Sequence, residues 1–90
     1  MDQLFHTNKY QYIFKIPLDQ RPDPIMEASI VALQFNRNVD SQGEYISLVM
    51  WDAAGYGHFC PGGKVREIIN RYSLDGVLNE WFQNSPKLLQ

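Results

Sequence analysis

Hydrophobic and polar positions alternate along the N-terminal half of the chain, which is typical of half-buried β-strands. The clearest example is residues 10–18, "YQYIFKIPL", where the aromatic residues fall on one face and most polar residues on the other. Pro17 cannot donate a hydrogen bond to a neighbouring strand, so we expect this strand to lie at a sheet edge. The same alternation predicts strands at residues 28–37 and 44–52, which form a hairpin around a polar loop.

Residues 24–35 are open to a second interpretation. Asp23 followed by Pro24 is a common helix start, which gives an alternative helix over this segment and the element order β-α-β-α-α. We favour the strand, because "SIVALQF" is rich in strand-forming residues and alternation places Val31 and Leu33 on one face.

The C-terminal third changes to the spacing of amphipathic helices. Two apolar stripes predict helices over residues 64–72 and 74–84, namely Val65, Ile68, Ile69 and Tyr72, then Leu74, Val77, Leu78 and Trp81. Because the stripes are out of phase, we expect two short helices that meet at a corner, with Ser73 as the N-cap of the second. The predicted fold is α+β: a small antiparallel sheet of about three strands, covered on one face by two helices.

Length, charge and cysteine content narrow the class of protein. Ninety residues predict a single domain over residues 1–90. No apolar run is long enough to cross a bilayer and the first residues lack a signal-peptide pattern, so we expect no membrane partner. One cysteine, Cys60, cannot form an internal disulfide, which favours a cytoplasmic location. A net charge of -2 with dispersed cations argues against a nucleic-acid partner.

Residues 51–65, "WDAAGYGHFCPGGKV", place four glycines between a predicted strand and a predicted helix, where phosphate-binding loops occur. The nucleotide P-loop requires a glycine where His58 stands and a hydroxyl residue where Val65 stands, so that motif fails twice. The dinucleotide-binding pattern fails at Cys60, which occupies its third glycine position. We therefore expect a glycine-rich connector and no cofactor, nucleotides included.

Two other chemical hypotheses arise in the same segment. An anionic ligand is a candidate for the backbone amides around Gly62 and for the ammonium group of Lys64. A small thiol enzyme would need a base to activate Cys60, and His58 oriented by Asp52 is the candidate base. Catalytic partners normally come from different elements, whereas Cys60 and His58 are close neighbours in one segment. No pair of histidine or cysteine residues has the sequence spacing of a metal site. We therefore expect no catalytic residue and no metal.

Aromatic residues in predicted loops favour a binding function. Tyr56, His58 and Phe59 lie in the glycine-rich segment, and Arg21 lies in the loop after the first strand. Aromatic and arginine side chains carry much of the energy of protein interfaces, so these four and Lys64 are the candidate binding residues. The predicted function is a non-enzymatic module that binds another protein as an inhibitor, adaptor or immunity-type protein, with an edge-strand homodimer as a further form of partner.

Overall fold

The computed structural model describes residues 10–17, 19 and 30–84. Its elements are β1 (Gln11–Lys15), β2 (Ile30–Asp40), β3 (Gly43–Asp52), β4 (Gly57–Phe59), a short 3-10 turn (Gly62–Lys64), α1 (Val65–Arg71) and α2 (Asp75–Asn84). The four strands form one antiparallel sheet in the order β1-β2-β3-β4. The predicted α+β class is confirmed, with one strand more than expected.

The hairpin between β2 and β3 is tighter than its sequence suggests. The predicted strands ended at residue 37 and began again at residue 44, whereas Asp40 pairs directly with Gly43. The Gln42 amide donates to the Asp40 carboxylate at 2.8 Å, and Gly43 has a φ of 116°, a backbone angle that favours glycine. The loop was predicted too long because polar residues next to the turn, Asn38 and Asp40, belong to the paired strand.

A β-bulge near the start of β2 changes which residues face the core. Ile30 pairs with Asp52 and Ala32 pairs with Trp51, so Val31 is the extra residue. Ile30 is therefore buried with Leu33, and the predicted shared face of Val31 and Leu33 is wrong. The alternative helix is wrong for residues 30–35, and the rest of that segment lies outside the described residues.

The segment predicted as a connector is a second hairpin. The Asp52 carboxylate accepts the amides of Ala54 at 3.0 Å and Tyr56 at 2.9 Å, which holds the turn after β3. Gly55 has a φ of 94°, so this position is suited to glycine. The chain then returns as β4, which was missed from the sequence.

The two helices meet at a corner, as predicted, but Ser73 has a different role from the one expected. It has a φ of 56° and its amide donates to the Asn70 carbonyl at 3.2 Å, while the Leu74 amide donates to the Ile69 carbonyl at 2.9 Å. This pair of bonds is a Schellman motif that ends α1. The Leu74 carbonyl accepts the Leu78 amide, so Leu74 rather than Ser73 occupies the N-cap position of α2.

The helices cover one face of the sheet. The Trp81 ring of α2 lies 5.8 Å from the Tyr12 ring, and the Tyr72 ring after α1 lies 5.8 Å from the Phe14 ring. The buried core combines this sheet face with both helices: Ile16, Ile30, Leu33, Phe35, Leu48, Cys60, Ile68, Ile69, Leu74, Leu78 and Trp81. Neither α1 nor α2 is long and apolar enough to cross a bilayer, a finding that covers the described residues alone.

Candidate functional site

The predicted binding residues divide between the two faces of the sheet. Phe59 pairs with Val49 on the face opposite the helices, and His58 pairs with Met50 on the helix-covered face. Lys64 lies on the same side as His58, because both line one cavity beside α1. Tyr56 belongs to the turn before β4, and Arg21 lies outside the described residues. The binding residues predicted from the sequence therefore belong to two separate surfaces.

The outer edge of β4 has unpaired backbone groups. The Tyr56 carbonyl accepts the Asp52 amide at 3.0 Å and the Cys60 amide donates to the Leu48 carbonyl at 3.0 Å, so these alternate residues bond inward to β3. The pleat therefore turns the N–H and C=O groups of Gly57 and Phe59 outward. Within residues 10–17, 19 and 30–84, these outward groups have no hydrogen-bond partner.

The opposite margin of the described sheet differs from the β4 edge. The residues of β1 whose backbone groups turn away from β2 make further interactions of their own: Gln11, Ile13 and Lys15. The edge next to Pro17, which the sequence singled out, is thus a weaker candidate for binding than β4.

Two large aromatic side chains lie along the β4 edge. Tyr56 is 69% exposed and Phe59 is 78% exposed, which are high values for side chains of this size. A Cβ atom at Gly57 would lie 3.0 Å from Val49 Cγ1 and 3.3 Å from the Trp51 ring, so glycine lets that ring lie close to the strand. We call Tyr56, Gly57 and Phe59 the β4 edge surface.

A cavity of about 400 Å³ lies between the helix-covered side of β4 and α1. Its apolar wall includes Ile30, Met50 and Ile68. Polar and charged side chains stand around it: Asp52, His58, Lys64, Glu67 and Arg71. We call it the β4–α1 cavity, and no sequence motif indicated it.

Asp52 and His58 are joined across the second hairpin. His58 Nε2 lies 2.9 Å from Asp52 Oδ2, while Asp52 Oδ1 accepts the two turn amides. The His58 hydrogen bond, followed by the Tyr56 and Ala54 amides, holds the pKa of Asp52 below its ordinary value of 3.8. The sequence prediction that Asp52 could orient His58 therefore agrees with the geometry.

The lowered pKa of Asp52 predicts an acid-sensitive hairpin. Its ionised form is stabilised by folding, so this contribution is present above the unfolded-state pKa and is lost as pH falls through the folded-state pKa. We expect the melting temperature of the wild type to exceed that of Asp52→Asn at neutral pH, and the difference to shrink below about pH 4. Melting curves of both proteins across this range are the measurement, and a difference that stays constant down to the lowest pH would contradict the assignment.

Cys60 is buried beside the cavity, as expected of a small apolar residue. Its Sγ lies 3.6 Å from the Pro61 carbonyl oxygen. An activated thiol needs a base within hydrogen-bond reach, whereas the His58 ring contacts the Asp52 carboxylate. This contact of the His58 ring with Asp52 gives no support to the thiol-enzyme hypothesis.

The predicted anion cradle around Gly62 is partly occupied by the chain itself. The Lys64 amide donates to the Pro61 carbonyl at 2.8 Å, and the Val65 amide donates to the Gly62 carbonyl. The Lys64 side chain still lines the cavity, and its ammonium group makes no ion pair with any described residue. Among the described residues, no three His, Cys, Asp or Glu side chains form a group that could hold a metal ion.

Comparison of the chain with family models, with curated proteins and with solved structures finds no match. Within the described residues, the fold and the site define a small α+β domain with an open sheet edge at β4 and a cavity between β4 and α1.

The residue that sequence reasoning missed at the edge surface is Gly57. A signal for it exists, because "DAAG" is a turn sequence and the residues on either side, "LVMW" and "GHFC", can pair as strands. The four glycines of this segment are instead typical of phosphate-binding motifs. The three residues of β4 are too few to show an alternation of polar and apolar positions.

Proposed function

We propose that this protein is a non-enzymatic protein-binding module that pairs its β4 edge with an extended segment of a partner protein. It would act as an inhibitor, an adaptor or an immunity-type protein. The observation that carries the proposal is the position of the outward backbone groups of Gly57 and Phe59 directly beside two highly exposed aromatic rings.

Edge pairing supplies both affinity and selectivity. Each outward residue offers one donor and one acceptor to an added strand, and these main-chain bonds are independent of the partner's side chains. Tyr56 and Phe59 then supply the apolar contact that discriminates between partner sequences.

The nature of the partner and the location are part of the same proposal. A protein is favoured over nucleic acid or a membrane, because the net charge is -2 and the β4 edge surface contains no cation. A cytoplasmic location is favoured by the single cysteine, which forms no internal disulfide.

Self-association through β4 is a second candidate, and the spacing of the outward residues favours it. An antiparallel pairing of two copies would place Phe59 of one opposite Gly57 of the other, because the two residues flank His58 symmetrically. An aromatic ring opposite a glycine is a favourable cross-strand arrangement. Light scattering at increasing protein concentration distinguishes this homodimer from a monomer that awaits another protein.

The test uses peptides selected from a random library displayed on phage, with the whole 90-residue chain as bait. Affinities of the selected peptides are measured for the wild type, Tyr56→Ala and Phe59→Ala, with Val77→Ala as the control. Val77 is an exposed apolar residue of α2, well separated in the chain from β4. We expect each aromatic truncation to weaken binding about thirtyfold with an unchanged melting temperature, and Val77→Ala to bind as the wild type does.

A further variant separates the backbone from the side chain. Phe59→Pro removes the outward amide as well as the ring, and this amide takes no part in pairing with β3. We expect Phe59→Pro to bind more weakly than Phe59→Ala. Peptides that bind every variant equally, or a library that yields no binder, would overturn the proposal.

A further inference from the structure

We propose that the β4–α1 cavity binds a small monocarboxylate with an apolar body. The carboxylate would lie at the Lys64 ammonium group, and the body would lie against Ile30, Met50 and Ile68. This site is separate from the β4 edge surface, because Phe59 lies on the face opposite His58 and Tyr56 does not line the cavity.

The size and lining of the cavity define the body of the ligand. A volume of about 400 Å³ lies within the range of small-molecule sites. Ile30 and Ile68 are buried in the core and Met50 packs against it, so the wall is held by the fold. Methionine adapts to differently shaped apolar groups, which suits a chain or ring of variable outline.

The charges around the cavity define the head group. The Asp52 carboxylate is committed to His58 and two amides, and the Glu67 carboxylate lies 3.4 Å from the Arg71 guanidinium. Lys64 alone among these described cavity charges has no partner in the structure. One anionic group therefore completes the charge pairing, and a second would meet the carboxylates of Asp52 and Glu67.

Four probes separate the contributions of charge and apolar body. Octanoate carries both features, octan-1-ol lacks the charge, octylamine reverses it, and succinate lacks the long apolar body. Titration calorimetry measures affinity, and the methyl signals of Ile30, Met50 and Ile68 in NMR spectra report where the probe binds. We expect octanoate to bind more tightly than the other three probes and to shift these methyl signals.

Lys64→Gln and Lys15→Gln form a matched pair of variants. Each removes one positive charge from an exposed lysine, but Lys15 lies in β1 and does not line the cavity. We expect Lys64→Gln to weaken octanoate binding about tenfold and Lys15→Gln to leave it unchanged. No octanoate binding, equal binding to Lys64→Gln, or equal affinity for octan-1-ol would overturn the inference. The edge-surface variants Tyr56→Ala and Phe59→Ala should bind octanoate as the wild type does, so failure here is distinct from failure of the proposed function.

Discussion

Replacement of Trp81 by alanine is expected to lower the free energy of unfolding by about 3–5 kcal/mol. Trp81 is 8% exposed, and its ring lies 5.8 Å from Tyr12 of β1 and 5.2 Å from its neighbour Phe82. Its loss would leave a large gap between α2 and the sheet. Small domains have a total stability of about 5–15 kcal/mol, so the variant should lose a large part of its free energy of unfolding.

Phe59→Ala is the matched control, because it also removes one aromatic ring. Phe59 is 78% exposed, so we expect its truncation to change the free energy of unfolding by no more than about 0.5 kcal/mol. Urea denaturation followed by circular dichroism measures both variants against the wild type. A Trp81→Ala variant as stable as Phe59→Ala would show that α2 does not need this contact to stay on the sheet.

Removal of the Glu44 carboxylate is expected to lower the free energy of unfolding by about 3 kcal/mol. The Arg37 side chain is fully buried. Its Nη2 and Nε atoms lie 2.6 Å and 3.0 Å from Glu44 Oε1. The same guanidinium lies over the rings of Phe82 at 4.8 Å and Trp81 at 5.7 Å. Without Glu44, a positive charge would remain buried without its carboxylate.

Two further variants test this explanation by urea denaturation. Arg37→Met combined with Glu44→Leu replaces the ion pair by apolar groups, and we expect it to be more stable than Glu44→Leu alone. Arg66→Ala breaks the exposed ion pair with Asp75, where both side chains are more than half exposed, and should cost at most about 0.5 kcal/mol. If Glu44→Leu costs no more than Arg66→Ala, then burial of Arg37 does not make its partner essential.

These stability predictions bear on function through the sheet. The β4 edge surface belongs to a strand whose only described sheet neighbour is β3, and the buried contacts of β3 with β2 and the helices hold β3 in place. Binding variants are therefore interpretable only where the core is intact. Tyr56 and Phe59 satisfy this condition because both side chains are exposed.

The sequence by itself determined the secondary-structure class and most of the core. Alternation in β1, β2 and β3 and the two helical stripes follow from short-range geometry, because the pleat and the helix turn repeat every two and every 3.6 residues. The phase break between the stripes also correctly predicted two helices. These features depend on residues two to four positions apart along the chain, so they can be read from the sequence alone.

Only the tertiary structure decided the register, the fourth strand and the division of the candidate site. The bulge at Val31 and the burial of Arg37 depend on partners supplied by β3 and α2, which no local pattern specifies. His58 and Phe59 are adjacent in the sequence, yet pairing with β3 turns His58 toward the cavity and Phe59 toward the face opposite the helices. A short strand takes its orientation from the strand beside it, and for that reason the edge and the cavity emerged only from the folded chain.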